Sequence, residues 1–169
     1  MDERTQNLIA ECKRQEESCL YTSTSLYIWL RSSRFWKRIF IVAPIIFGGL
    51  ATWVVFDQPE LKWLTALFAL IAGFFPAIYE ALKLDVHLDE IARHAAEYKK
   101  LQDRFRQAAT ITVLGKHEEL QAQFEQLMER MEAARTSSLT PPEWCFEKAR
   151  KKIQAGHYTF SGEDATKQQ

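Results

Sequence analysis

The sequence has no net charge: 22 Lys and Arg offset 22 Asp and Glu. A nucleic-acid partner held by bulk charge is therefore not expected, because phosphate binding rests on a cationic excess. Cysteine is scarce. Cys12, Cys19 and Cys145 cannot supply a disulfide framework. Cys12 and Cys19 stand two helical turns apart, roughly 10 Å along one axis, which is too far for a bond. Glycine-rich phosphate loops, a nucleophile elbow, a CxxC pair and HExxH are all missing. Nothing in the chain points to a cleft of convergent polar groups, so neither an enzyme nor a cofactor is expected.

What the chain does have is two apolar runs. Ile39 to Phe56 carries no charge, and Trp63 to Tyr79 carries none either. The polar break between them is Asp57 to Lys62. Each run approaches the about 17–25 residues that a helix needs to cross a hydrocarbon core. A buried core helix would show a polar face at helical spacing. Ile39 to Phe56 offers only Thr52, whose hydroxyl can bond back to its own helix. Trp36, Trp53, Trp63 and Tyr79 lie near the run ends, where amphipathic rings favour the membrane interface. The expectation is a transmembrane helical hairpin over residues 39–82, with spans 39–56 and 63–82.

Arg31, Arg34, Lys37 and Arg38 precede the first run, and Lys83, Arg93, Lys99 and Lys100 follow the second. The break has only Lys62. This bias puts both termini in the cytoplasm. A signal peptide is not expected, since its apolar region would be shorter and nearer the N-terminus. Thr65, Ala69, Gly73 and Ala77 form a stripe of small side chains at every fourth residue, and Pro44, Gly48 and Thr52 form another. Such stripes let helix backbones approach in lipid. Pro76 predicts a kink.

The remaining segments read as cytoplasmic helices. Residues 1–38 give an N-terminal helix, capped by Asp2, and a basic-aromatic anchor around Phe35 and Trp36. Its patch Tyr21 to Ser25 has no partner acid or base and reads as helix surface. Residues 83–155 form a heptad stem. Leu84, Leu88, Ile91, Ala95, Tyr98 and Phe105 make one seam, with Gln102 in its polar slot, and the helix is expected to run on directly from the second span. This seam is the candidate surface for oligomer assembly. The β-branched run Thr110 to Val113 and Gly115 break the pattern. A second seam follows, Leu120, Phe124, Leu127, Met131 and Ala134, expected to close an antiparallel hairpin on the first. Trp144 and Phe146 are expected to anchor a short last helix stopped by Gly156. Residues 156–169 read as a disordered tail. The fold class is thus an all-α membrane protein.

Three constellations carry possible chemistry. His87, Glu90 and His94 share one helix face, which is the spacing of metal ligands but is read as a solvated face of ion pairs. Asp57 and Glu60, a turn apart, could concentrate cations if several copies ring them. Glu80 stands near the inner end of the second span, where an ionisable group is a functional candidate by default. Lys83, Lys37 or Arg38 are its expected partners.

The order of these parts has a relative. Cys19, Leu20, Tyr21 and Ser23, then Arg34 to Arg38, then two spans, heptad helices and Pro141 to Trp144 resemble the SLATT family, the two-span effector domain of prokaryotic conflict systems. The resemblance covers about residues 8 to 155. It implies a multi-pass protein of the bacterial inner membrane that assembles and forms a pore in antiphage defence. It also implies a trigger from a separate sensor protein or second messenger, and no catalytic residues. Candidate pore or packing residues are Glu80, Gly73, Ala69, Thr65, Gly48, Thr52, Asp57 and Glu60. The alternatives are a non-conducting scaffold hairpin on the bilayer and a dedicated cation channel.

Overall fold

The computed structural model describes residues 3–57, 62–81, 84–110, 117–137 and 139–157. Among these the secondary structure is entirely helical: α1 (Glu3–Asp57), α2 (Lys62–Ala81), α3 (Leu84–Thr110), α4 (His117–Ser137) and α5 (Glu143–Gln154). The expected disordered tail beyond His157 lies outside the described residues, as does the join between the second span and α3.

The N-terminal helix expected before the first span is continuous with it. One helix of 55 residues runs through the anchor and the whole first apolar run. No glycine or proline interrupts it before Pro44. The hydroxyl-rich patch, which ordinarily competes with helix, is spent on it instead. Thr22 Oγ1 donates to the Ser18 carbonyl at 3.0 Å, and Ser25 Oγ donates to the Thr22 carbonyl at 2.8 Å.

The chain divides into two compact units, Met1–Trp29 with Ile91–Gln169, and Leu30–Glu90. The first is a stem of four helical segments. Thr5 Oγ1 meets His117 Nδ1 at 3.0 Å, and the Cys19 thiol meets the Met131 sulfur at 3.7 Å. Both pairs are separated by 112 residues, so α1 and α4 run parallel in constant register. Phe105 and Phe124 meet edge to face at 6.2 Å, close to the ends where α3 and α4 are joined. A short connection makes such neighbours antiparallel. α5 lies against α1 through Tyr21 and Phe146, with ring centroids 6.0 Å apart. Gly156, at φ 78°, ends it, and its N–H donates to the Ile153 carbonyl. A side chain there would be strained.

The heptad positions Ile91, Ala95, Tyr98 and Phe105 are buried within the single chain, as is Leu88. They are fold core, so the seam proposed for oligomer assembly is already occupied; the Leu84 side chain lies outside the described residues. Two more expectations are corrected by the burial pattern. Ser23, Thr24 and Ser25, read as helix surface, are buried. Trp144 and Phe146, read as anchors, are each 47% exposed; Phe146 does meet Tyr21 of α1, but the residues α5 buries are Cys145 and Ala149. Small side chains at i and i+4 let α5 lie close, while its bulky rings stay at the rim.

His94 is the unexpected core residue. The spacing put it on a solvated face with His87 and Glu90, yet it is 1% exposed while His87 is exposed. Among the described residues neither ring nitrogen has a hydrogen-bond partner. The registers of α3 on α4 and of α4 on α1 put His94 at about the level of Ser23, so the polar residues share a layer. An imidazole always carries an N–H, and leaving a buried donor unmet costs about 1–3 kcal/mol. His94→Leu is therefore expected to raise the thermal midpoint of the stem, measured by circular dichroism. A fall instead would reveal a polar partner that these residues do not supply.

Burial also silences the thiols. It pushes Cys12 up to about 11, helped by Glu11, and Cys19 to about 11 against the pull of Arg135. Burial raises Cys145 too, opposed by Lys148. At neutral pH all three are thiols rather than thiolates, and so poor nucleophiles.

Candidate functional site

The second unit is the apolar hairpin formed by α2 and the later half of α1. Rings hold it together. Phe40 meets Phe75 at 5.6 Å and Phe47 meets Phe68 at 5.9 Å. Two turns of advance along α1 match two turns of retreat along α2, so the helices are antiparallel. Phe47 also stacks on Phe75 at 6.0 Å, closing a three-contact ladder. Aromatic pairs of this kind add about 0.5–1.5 kcal/mol beyond the area they cover.

The ladder displaces the small residues from the role the sequence suggested. Ala69, Gly73 and Ala77 are exposed, and Thr65 is half-buried. A Cβ built on Gly73 or Gly48 would meet nothing within 4 Å. The stripes therefore do not carry the packing of α1 on α2. Thr52 points outward too, its hydroxyl donating to the Gly48 carbonyl at 2.9 Å. Bulky rings reach across a wider gap than glycine needs, and that leaves the glycine faces open.

Most of the hairpin's apolar surface is uncovered. Ile45 is 71% exposed, Phe56 83% and Leu70 58%. The best windows of the two helices have mean hydropathies of 2.4 and 1.7, and both helices are long and apolar enough to cross a membrane. A soluble core hairpin would bury these side chains; here the chain buries none of the second window.

At one end of the hairpin three elements are tied by polar groups. Lys37 of α1 donates to Asp85 Oδ1 of α3, and the Tyr79 hydroxyl of α2 donates to Asp85 Oδ2 at 2.6 Å. Glu80, for which Lys37 was an expected partner, is exposed beside this cluster, and Lys37 is engaged by Asp85. The Lys37 and Tyr79 bonds hold the Asp85 carboxyl below its usual range. By linkage, what they add to stability is complete above that range and is lost as pH falls below it and through the lowered value. All three groups are open to solvent, so salt screens the contact.

Sequence reasoning missed Asp85 because it read the segment as one helix running on from the span, whose charges would be solvated. The signal was available in the flank: a basic residue before one run and an acid just after the other. Of the carboxylates proposed for the opposite end, Glu60 and the Asp57 side chain lie outside the described residues. Among the described residues no group of three His, Cys, Asp or Glu side chains is placed to hold a metal.

No protein-family model, curated protein or solved structure matches this chain.

Proposed function

We propose that this protein is a membrane-embedded, pore-forming effector of the kind the SLATT resemblance implies, working as a homo-oligomer in a bacterial inner membrane. The observation that carries the reading is the hairpin's uncovered surface. It is largely apolar, with open faces at Gly48 and Gly73, and the heptad positions of the stem are buried within the single chain. Lipid satisfies the apolar part, and open small-residue faces allow the close approach of helices from other copies. Since the heptad seam is buried in each chain, the reading places subunit contacts on the hairpin. The basic flank Arg31, Arg34, Lys37 and Arg38 supports cytoplasmic termini. A separate sensor or second messenger would supply the trigger.

Two helices enclose no water path alone, so conduction requires assembly. In this reading Glu80, which is exposed and follows Tyr79 of the Lys37–Asp85 cluster in sequence, is the candidate to line its inner mouth. The test is membrane potential in bacteria on induced expression, read with a voltage-sensitive dye. Rapid depolarisation is expected, and Glu80→Ala is expected to reduce it while the protein still inserts. Depolarisation unchanged by the substitution would remove Glu80 from the path. An inserted, assembled protein that leaves the potential intact would favour the non-conducting scaffold.

A further inference from the structure

The stem holds an open groove of about 350 Å³ between α3 and α4. Arg104, Gln107 and Ala108 line it from α3, and Gln123, Gln126, Leu127 and Arg130 from α4. Spacings of three and four put each set on one helix face, so the two faces front the same space. Ala108 and Leu127 are buried and make an apolar floor. The walls are two guanidinium groups and three carboxamides.

The sorting of charge is what singles this groove out. Cations equal anions in the chain, and α4 alone contains Glu118, Glu119, Glu125, Glu129 and Glu132. No carboxylate lines the groove. Two other cations of the stem do have acidic partners, Arg14 with Glu11 and Lys99 with Asp103. Among the described residues Arg104 and Arg130 have no ion pair. Both are exposed, and the helices are joined instead by Phe105, Phe124 and the floor.

We infer that the α3–α4 groove is a binding site for a small phosphate ester, held by Arg104 and Arg130 and oriented by Gln107, Gln123 and Gln126. Guanidinium presents paired N–H donors that match two phosphate oxygens. Carboxamides both donate and accept, which suits the polar hydroxyl or ring portion of an ester rather than a bare anion. The volume falls at the small end of ligand sites, about 300–1,000 Å³. Two cations are too few for a nucleic-acid track, whose affinity grows with each phosphate neutralised. The phosphate could belong to a soluble metabolite or to a lipid headgroup, and the chemistry at the groove is the same. The site stands whether or not the hairpin conducts.

The experiment uses the full chain in nanodiscs of phosphatidylcholine. Thermal midpoints are followed against ribose 5-phosphate and, separately, against dihexanoyl phosphatidic acid, with sodium chloride matched for ionic strength. A saturable rise with ribose 5-phosphate is expected. Arg104→Gln with Arg130→Gln should weaken it tenfold or more while the unliganded midpoint stays within a degree or so of wild type. Gln107→Leu, which keeps both cations, should weaken the response to ribose 5-phosphate more than the response to inorganic phosphate, titrated alongside it. A response to the lipid alone, lost in the double variant, would keep the groove and assign it to headgroups. No saturable rise with either probe, or one that survives the double variant, would overturn the site.

Discussion

Phe105→Ala is expected to lower the unfolding free energy of the stem by about 3–5 kcal/mol, the range for removing a buried aromatic ring. Phe105 is fully buried and meets Phe124 edge to face across the α3–α4 joint. Alanine would leave a void where the two helices now meet ring to ring. Small domains have only about 5–15 kcal/mol in total, so the variant should melt far below wild type. Urea unfolding of the full chain in mild detergent, followed by circular dichroism of the stem, measures this. Trp36→Ala, at a position 56% exposed, is the control and should change little. The result also separates two meanings of one heptad pattern. If Phe105 lay in a seam between copies, its loss would shrink the oligomer and leave the stability of the single chain intact.

The second large effect concerns the hairpin. Ile45→Arg and Leu70→Arg, made together, are expected to abolish recovery of the protein in the membrane fraction. Both side chains point away from the chain's own packing, so in lipid each arginine would sit in hydrocarbon. The cost at a helix centre is about 2.5–3.5 kcal/mol per residue on insertion scales. In water the same substitutions replace exposed apolar side chains with solvated ones and should improve solubility. The two environments thus predict opposite signs, and fractionation with carbonate extraction reads them directly. A double variant that stays in the membrane pellet would contradict lipid exposure of these two faces.

Much of the fold was legible in the chain because helix formation and hydropathy are local. The uncharged run Ile39 to Phe56 and the short break after it determined two adjacent apolar helices with no reference to the remainder. Spacings of three and four determined that Ile91, Ala95, Tyr98 and Phe105 share a face, and they do. Gly156 marked the end of α5 through a φ that only glycine adopts readily.

What covers each face was not legible, because the covering groups come from far along the chain. Periodicity makes a stripe; it does not say whether another segment or another copy lies on it. Tertiary structure assigned the heptad stripe to the chain's own core. It turned Gly73 outward because Phe47, Phe68 and Phe75 took the contact first. It enclosed Ser23 and His94, polar residues that any sequence scale puts outside, since a small hydroxyl fits where helices crowd. It brought Lys37 to Asp85 across 48 residues and left Arg104 and Arg130 around one groove without an acid between them. The sequence by itself determined which segments are helical and which are apolar, since both depend on near neighbours. Only the tertiary structure decided which side chains are covered and which charges meet, since those depend on residues the chain must fold to bring together.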